Sequence, residues 1–126
     1  KVDVFAPCAM GAVINDETLP RLQANIVAGS ANNQLSQAHH GESLAAQKIL
    51  YAPDYVINAG GIINISHERP VYDEVKAYAH TAQIHDTLMD LFRKANAAQM
   101  APEKMADKMA EARIFNARQQ QNSVAA

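Results

Sequence analysis

The stretch Asn25-Ile26-Val27-Ala28-Gly29-Ser30-Ala31-Asn32-Asn33-Gln34 restricts the fold more than any other part of the chain. A short β-branched run stops at Gly29, passes through small residues and ends on side-chain amides. That is the pattern of a buried parallel strand with a ligand at its carboxyl edge. Small side chains let the backbone come close to a bound molecule, while an amide offers a donor and an acceptor together. By itself the pattern defines the end of an α/β strand and a candidate site, and no particular chemistry.

The flanking segments fit the same plan. Val2-Asp3-Val4-Phe5-Ala6 reads as a short strand closed by Pro7, which has no N–H for a central ladder. Cys8-Ala9-Met10-Gly11-Ala12 is a small, flexible loop suited to lie over a ligand. Asn15-Asp16-Glu17-Thr18 supplies capping chemistry for a brief helix through Leu22, and the second strand runs from Asn25 to Ala28. Ser36 to Gly41 reads as a polar loop, Glu42 to Lys48 as a short helix, and Ile49-Leu50-Tyr51-Ala52 as a third strand ended by Pro53-Asp54. Strands alternating with short helices predict a parallel sheet with crossovers. Three strands with open edges make a poor sheet alone, so a piece of a larger unit is expected. A chain that opens at Lys1, without Met and already at an apolar strand, gives the same expectation.

Beyond the sheet the periodicity is helical. Tyr55 to Ser66 is predicted as one helix capped by Asp54, although Gly60-Gly61 weakens it by roughly 1 kcal/mol per Gly relative to Ala. Such a loss is tolerated where a ligand or a neighbour must approach the backbone. From Val71 to about Ala97 a long helix is predicted, with Pro70 placed at its start. Its apolar stripe is Val71, Val75, Tyr78, Ala82, His85, Met89 and Phe92, flanked by Ile84, Leu88 and Leu91. Ala101-Pro102-Glu103 opens a last helix with Met105, Met109 and Ala112 on one side. Gln119 to Ala126 is polar and weakly patterned, and is expected to fray.

Composition enters through what it excludes. A chain of 126 residues, 48% hydrophobic, buries one ordinary core. The net charge of −2 and the scattered basic residues leave no footprint for nucleic acid. No apolar run approaches the roughly 20 residues that span a bilayer, and no signal-peptide pattern precedes the first strand. The lone Cys8 excludes an internal disulfide and fits a reducing, cytoplasmic setting. No His lies near Cys8 in sequence, so it reads as a packing residue and not a nucleophile. His39-His40 does not predict a metal site, because adjacent histidines need further ligands to share one ion. His85 and the Met105/Met109 pair read as packing residues; Lys104, Asp107, Lys108 and Glu111 read as a solvated face. Asn33 and Asn58 suit turns and caps as well as they suit binding.

Three motifs in order carry a resemblance: Ala6-Pro7-Cys8-Ala9-Met10-Gly11-Ala12-Val13-Ile14, Ala28-Gly29-Ser30-Ala31-Asn32-Asn33-Gln34-Leu35, and Tyr51-Ala52-Pro53-Asp54-Tyr55-Val56-Ile57-Asn58-Ala59-Gly60-Gly61. Together they closely resemble the leucine, valine and phenylalanine dehydrogenase group of the amino-acid dehydrogenase superfamily, most of all leucine dehydrogenase. The match is strong from Val2 to Glu68 and looser through the last helices. The resemblance implies an α/β fold: residues 1–68 as the second half of a Rossmann-like, dinucleotide-binding domain, and residues 69–126 as long C-terminal helices returning toward a substrate domain. It implies an NAD cofactor, a small-molecule amino acid and 2-oxo acid as reactants, and a homo-oligomer. Cys8, Ala9, Met10 and Ala31 would line the cofactor, chiefly through backbone groups. Asn32 would orient the nicotinamide ribose or the substrate amino group, and Ile62 and Ile65 would floor the substrate side-chain pocket. Two bulky aliphatics there favour a branched aliphatic substrate over an aromatic one. The catalytic Lys and Asp, the acidic ribose ligand and the glycine-rich turn have no counterpart in this sequence, so the chain alone is expected to be inactive. The alternatives are a phenylalanine or other amino-acid dehydrogenase, or a truncated, non-catalytic assembly module.

Overall fold

The computed structural model describes residues 1–68 and 71–124. Three short strands, β1 (Val2–Phe5), β2 (Ala24–Val27) and β3 (Leu50–Tyr51), form one parallel sheet in that order. The register pairs Val4 with Ile26 and Ile26 with Leu50. The first crossover is a loop with one 3-10 turn, Leu19–Arg21. Asn15 makes an Asx turn ahead of it, its Oδ1 accepting from the Glu17 and Thr18 amides at 3.0 Å each, whereas the 3-10 turn itself has no side-chain cap at Thr18, where capping chemistry was expected. The second crossover carries helix α1 (His39–Ala46). The core lies beneath the sheet and this crossover: Ile14, Leu19, Val27, Leu44, Ile49 and Tyr51 are buried together, with Phe5, Val13, Leu22 and Leu35 packed against them.

Helix α1 begins three residues before the expected position. The reason is His40, expected in a polar loop but only 1% exposed. Its Nδ1 accepts from the Gln37 amide at 3.0 Å, and its Nε2 lies 3.1 Å from Asp16 Oδ1. The ring thereby pins the first turn of α1 to the preceding loop. The helix ends where Lys48 adopts a left-handed φ of 60° and the Ile49 amide reaches back to Leu44 O at 2.9 Å, a Schellman-type stop made without glycine.

Tyr55 to Ser66 is not one helix. It divides into α2 (Asp54–Ile57) and α3 (Gly60–Ser66), with the break at Asn58-Ala59. Asp54 does not cap the segment; it is the first residue of α2, and its carboxylate is spent on Tyr51 and Asn33. The long helix α4 spans Glu74–Ala97, capped by Asp73, whose side chain accepts from the Lys76 amide at 3.0 Å. It therefore starts at Glu74 and not at Val71; the expected role of Pro70 lies outside the described residues. The buried face of α4 is also not the expected one. Ala77, Leu91 and Ala95 are buried and Thr81, Ile84 and Leu88 half-buried, whereas Val71, Val75 and Tyr78 are 79%, 79% and 78% exposed. His85 lies on the exposed side as well and pairs with Asp86, not with a core. Helix α5 (Pro102–Val124) returns along α4 and touches α1 and β3. It stays helical through Gln119–Val124, where fraying was expected; Ala125 and Ala126 lie outside the described residues. Among the described residues no helix is long and apolar enough to cross a membrane.

Candidate functional site

The carboxyl ends of β1 and β2 are laced together by backbone bonds. Ala28 N–H donates to Phe5 O at 3.0 Å and Ala31 N–H to Pro7 O at 2.9 Å. Farther out, Ala12 N–H donates to Asn33 O at 2.6 Å and Ile14 N–H to Gln34 O at 3.0 Å. Gly29 makes this lacing possible: a Cβ there would stand 2.1 Å from Pro7 O and 2.5 Å from Pro7 N. Gly11 is held similarly, since a Cβ would come within 2.8 Å of Asn32 O. Ala12 and Asn33 both take a left-handed φ, 55° and 52°. For Ala12 that conformation costs about 1 kcal/mol, so the rim holds strain that the lacing must offset.

Buried side chains hold the rim from below. Gln34, fully buried, donates its Nε2 to Gly29 O at 2.7 Å and Ala31 O at 2.9 Å. Asp54 accepts from the Asn33 amide at 2.8 Å through Oδ2 and from Tyr51 Oη–H at 2.8 Å through Oδ1. Burial, reinforced by the neighbouring carboxylate, pushes the Tyr51 hydroxyl far above its ordinary range, so it remains a donor. Gln34 and Asp54 were missed as site-shaping residues. A buried Gln two positions after a candidate amide, and an Asp directly after a strand-ending Pro, were the available signals.

The rim borders a cleft of about 840 Å³, lined by residues including Asn32, Asp54, Tyr55, Asn58, Ile62 and Glu103. Asn32 and Ile62 thus face one space. Ile62 is 68% exposed. Ile65, also exposed, follows it on α3 but does not line this cleft. Cys8, Ala9 and Met10 are exposed on the β1 loop outside the cleft lining, and Ala31 is buried in the laced rim. Cys8 follows Pro7, whose carbonyl accepts from Ala31 N–H, and hydrogen bonding from the nearby Ser30 lowers its thiol below the ordinary thiol range. Ser30 O in turn accepts from Asn58 Nδ2 at 3.3 Å, and Asn58 Nδ2 also donates to Asn32 Oδ1 at 2.5 Å. Asn58 therefore bridges Ser30 and Asn32.

On the far wall Tyr55 Oη–H spans α2 and α5, donating to Asp107 Oδ1 at 2.9 Å with Glu103 O at 3.1 Å. Burial, then the Asp107 hydrogen bond, raises the Tyr55 hydroxyl far above its ordinary value. The Glu103 side chain is buried against Gly41 of α1 with neither carboxylate oxygen hydrogen-bonded, and burial raises its carboxyl above the ordinary glutamate range. Among the described residues no lysine lines the cleft.

Asp16, His39 and His40 place one potential metal-ligand atom each within 4.8 Å of one another. The Gln37 amide occupies the Nδ1 lone pair of His40, so a neutral ring carries its proton on Nε2 and donates to Asp16. That leaves no Nε2 lone pair for an ion, and the trio is a structural hydrogen-bond cluster.

Fold and rim define a class: a parallel α/β unit whose loops gather beyond the carboxyl ends of its strands, where ligands bind in such sheets. A family model described as Glutamate/Leucine/Phenylalanine/Valine dehydrogenase matches residues 1–125, and the chain belongs to this amino-acid dehydrogenase family. It is 46% identical over 126 residues to an L-tryptophan dehydrogenase of Nostoc punctiforme, covering 99% of this chain and 36% of that protein. To a leucine dehydrogenase of Thermoactinomyces intermedius it is 49% identical over 112 residues, covering 89% of this chain and 31% of the other. A crystal structure of the Nostoc punctiforme L-tryptophan dehydrogenase superposes with a TM-score of 0.88 at 47% identity, covering 93% of this chain and 36% of that one. The chain thus spans 36% and 31% of the length of these two relatives.

Proposed function

We propose that this chain forms one wall of the cleft of an NAD-dependent amino-acid dehydrogenase, which reversibly deaminates a branched-chain amino acid such as leucine to the 2-oxo acid and ammonia. The observation that carries the reading is the single space shared by Asn32, Asn58 and Ile62, beside which the Ala31 N–H to Pro7 O bond holds the start of the Cys8 loop. The rim sets small residues beside a side-chain amide that lines the cleft, which suits the nicotinamide end of the cofactor. Cys8, Ala9, Met10, Ala31 and Asn32 are the residues assigned to hold it. NAD, when bound, supplies the acceptor for the hydrogen leaving the substrate Cα. Asn32 orients the reactants, the laced loops keep its backbone fixed, and Ile62 excludes water and selects the substrate side chain, while Ile65 lies one turn farther along α3, outside the lining of this cleft.

The acid–base step is assigned to groups of the substrate domain, outside this cleft wall. Tyr51 and Tyr55 are held protonated well above neutral pH, Asp54 accepts from Tyr51 and Asn33, Asp107 accepts from Tyr55, Glu103 is packed against Gly41, and among the described residues no lysine lines the cleft. Residues 1–68 are accordingly assigned to the second half of the dinucleotide-binding domain, and residues 69–126 to helices leading toward a substrate domain, in a cytoplasmic homo-oligomer. Aromatic substrates are the second reading, favoured by the tryptophan dehydrogenase that aligns over 99% of the chain. Steady-state assays of the full-length protein carrying this segment, with leucine, valine, phenylalanine and tryptophan and NAD, decide between them. Highest kcat/KM with leucine or valine supports the first reading, and highest kcat/KM with an aromatic amino acid supports the second. No NADH formation with any of the four overturns both substrate readings. The isolated 126-residue chain is expected to form no NADH from leucine.

A further inference from the structure

The hydrogen bonds beside the cleft have a direction that begins at a backbone carbonyl. Ser30 O can only accept, so the Asn58 atom facing it at 3.3 Å is Nδ2. The same nitrogen lies 2.5 Å from the Asn32 amide. Because Nδ2 can only donate, the Asn32 atom it meets must be Oδ1. The NH₂ of Asn32 is therefore turned away from Asn58, and Asn32 lines the cleft. One further bond fixes the frame in which this happens. Asp54 Oδ2 holds the Asn33 amide at 2.8 Å, and Asp54 opens α2 while Asn58 closes it. One turn of helix thus grips the Ser30–Asn33 loop at two points. Asn58 takes this place because α2 stops there, at the break that separates it from α3.

We propose that Asn58 is a positioning residue: it fixes the amide of Asn32 so that Asn32 presents N–H donors to the cleft and recognises an acceptor oxygen on a reactant, not an ammonium group. This rests on the reading of Asn32 as facing the reactants. An amide free to turn presents its carbonyl about as readily as its NH₂, so losing the clamp loses one oriented hydrogen bond. Such a bond corresponds to about a tenfold change in rate or affinity.

The test is a double-mutant cycle in the full-length protein carrying this segment, comparing Asn32→Ala, Asn58→Ala and the pair in kcat/KM for the amino acid and in NADH affinity. Expected are about a tenfold fall in kcat/KM for Asn58→Ala and less than a twofold further change when it is added to Asn32→Ala. The near-isosteric Asn58→Asp, which offers no donor to Asn32, should lose at least as much while its melting temperature stays close to that of the parent. Losses that multiply fully in the double variant overturn the proposal, because Asn58 then acts independently of Asn32. So does an Asn58→Ala protein with unchanged kcat/KM. An Asn32→Ala variant with parental kcat/KM and NADH affinity overturns the underlying reading of Asn32 instead, a result the other arms do not produce.

Discussion

Replacing Gly29 with Ala tests whether the rim depends on close approach of two backbones. The added Cβ would lie 2.1 Å from Pro7 O, 2.5 Å from Pro7 N and 2.7 Å from Pro7 C, all backbone atoms that no rotamer change can move aside. Relief requires the β1 and β2 ends to separate, which stretches the bonds from Ala28 N–H to Phe5 O and from Ala31 N–H to Pro7 O. Overpacking of this kind costs about 1–3 kcal/mol, and each bond contributes about 1 kcal/mol net. Against this stands the gain from a less flexible unfolded chain, at most about 1 kcal/mol. A net loss of about 2–4 kcal/mol is expected in urea unfolding of the full-length protein, with any dehydrogenase activity falling at permissive temperature because the Ser30–Asn33 loop moves. A loss below about 0.5 kcal/mol would refute the reasoning, since it would mean that the rim relaxes without cost.

Gly61→Ala should do the opposite to stability: a Cβ there meets nothing within 4 Å, so about 1 kcal/mol of helix propensity is gained in thermal unfolding. A fall in activity in that stabilised variant would mark the face where a reactant approaches α3. Glu103→Gln should raise stability at neutral pH by up to about 1–3 kcal/mol, the cost of an unpaired buried charge. The sign follows from the raised carboxyl: the folded state holds its proton more tightly, so parental stability falls as pH rises from the ordinary glutamate range through the folded value. The variant should lose that slope in urea titrations. Tyr55→Phe removes the hydroxyl that links α2 to Glu103 O and Asp107, at a cost of about 1 kcal/mol. Because the Tyr55 hydroxyl is raised, its contribution is fully present below about pH 10 and is lost above it, so the variant should show a shallower alkaline decline. Ile62→Ala in the full-length protein should shift the phenylalanine-to-leucine ratio of kcat/KM upward by about tenfold or more; an unchanged ratio removes Ile62 from the specificity pocket.

The parallel sheet was legible because its signals are local. β-Branched runs, strand-ending Pro7, Pro53 and Gly29, and the Asn15 turn each act within a few residues. What was not legible depended on contacts far along the chain. His40 looks like loop polarity until Asp16, 24 residues earlier, meets it. Asp54 looks like a cap until Asn33, 21 residues earlier, takes its carboxylate. The ends of α1 and α4 use Lys48 and Gln99 in left-handed conformations, φ 60° and 50°, where glycine would have announced the stop. Within the candidate site, the strand-end amide was visible as such. Its orientation was not, because that depends on Asn58, 26 residues away.

Helix α4 shows why a correct period does not fix a phase. Val75 and Ala77 are two residues apart, about 200° around the helix, and so begin stripes on opposite faces. The Val75 stripe carries the larger apolar side chains and is the one that hydrophobicity selects. The Ala77 stripe runs through Thr81, Ile84, Leu88, Leu91 and Ala95, and it is the one in contact with the rest of the fold. Where α4 meets α3 the residues are short, because axes approach closely only there: a Cβ on Gly60 of α3 would stand 3.4 Å from the Thr81 methyl. Valine or tyrosine at the positions of Ala77 and Thr81 would hold α4 off α3, whatever they gained in apolar area. A helix apolar on two faces belongs to a layer with neighbours on both. The phase of α4 is therefore decided by which neighbours a given stretch of chain brings with it, and here those neighbours are α2, α3 and α5.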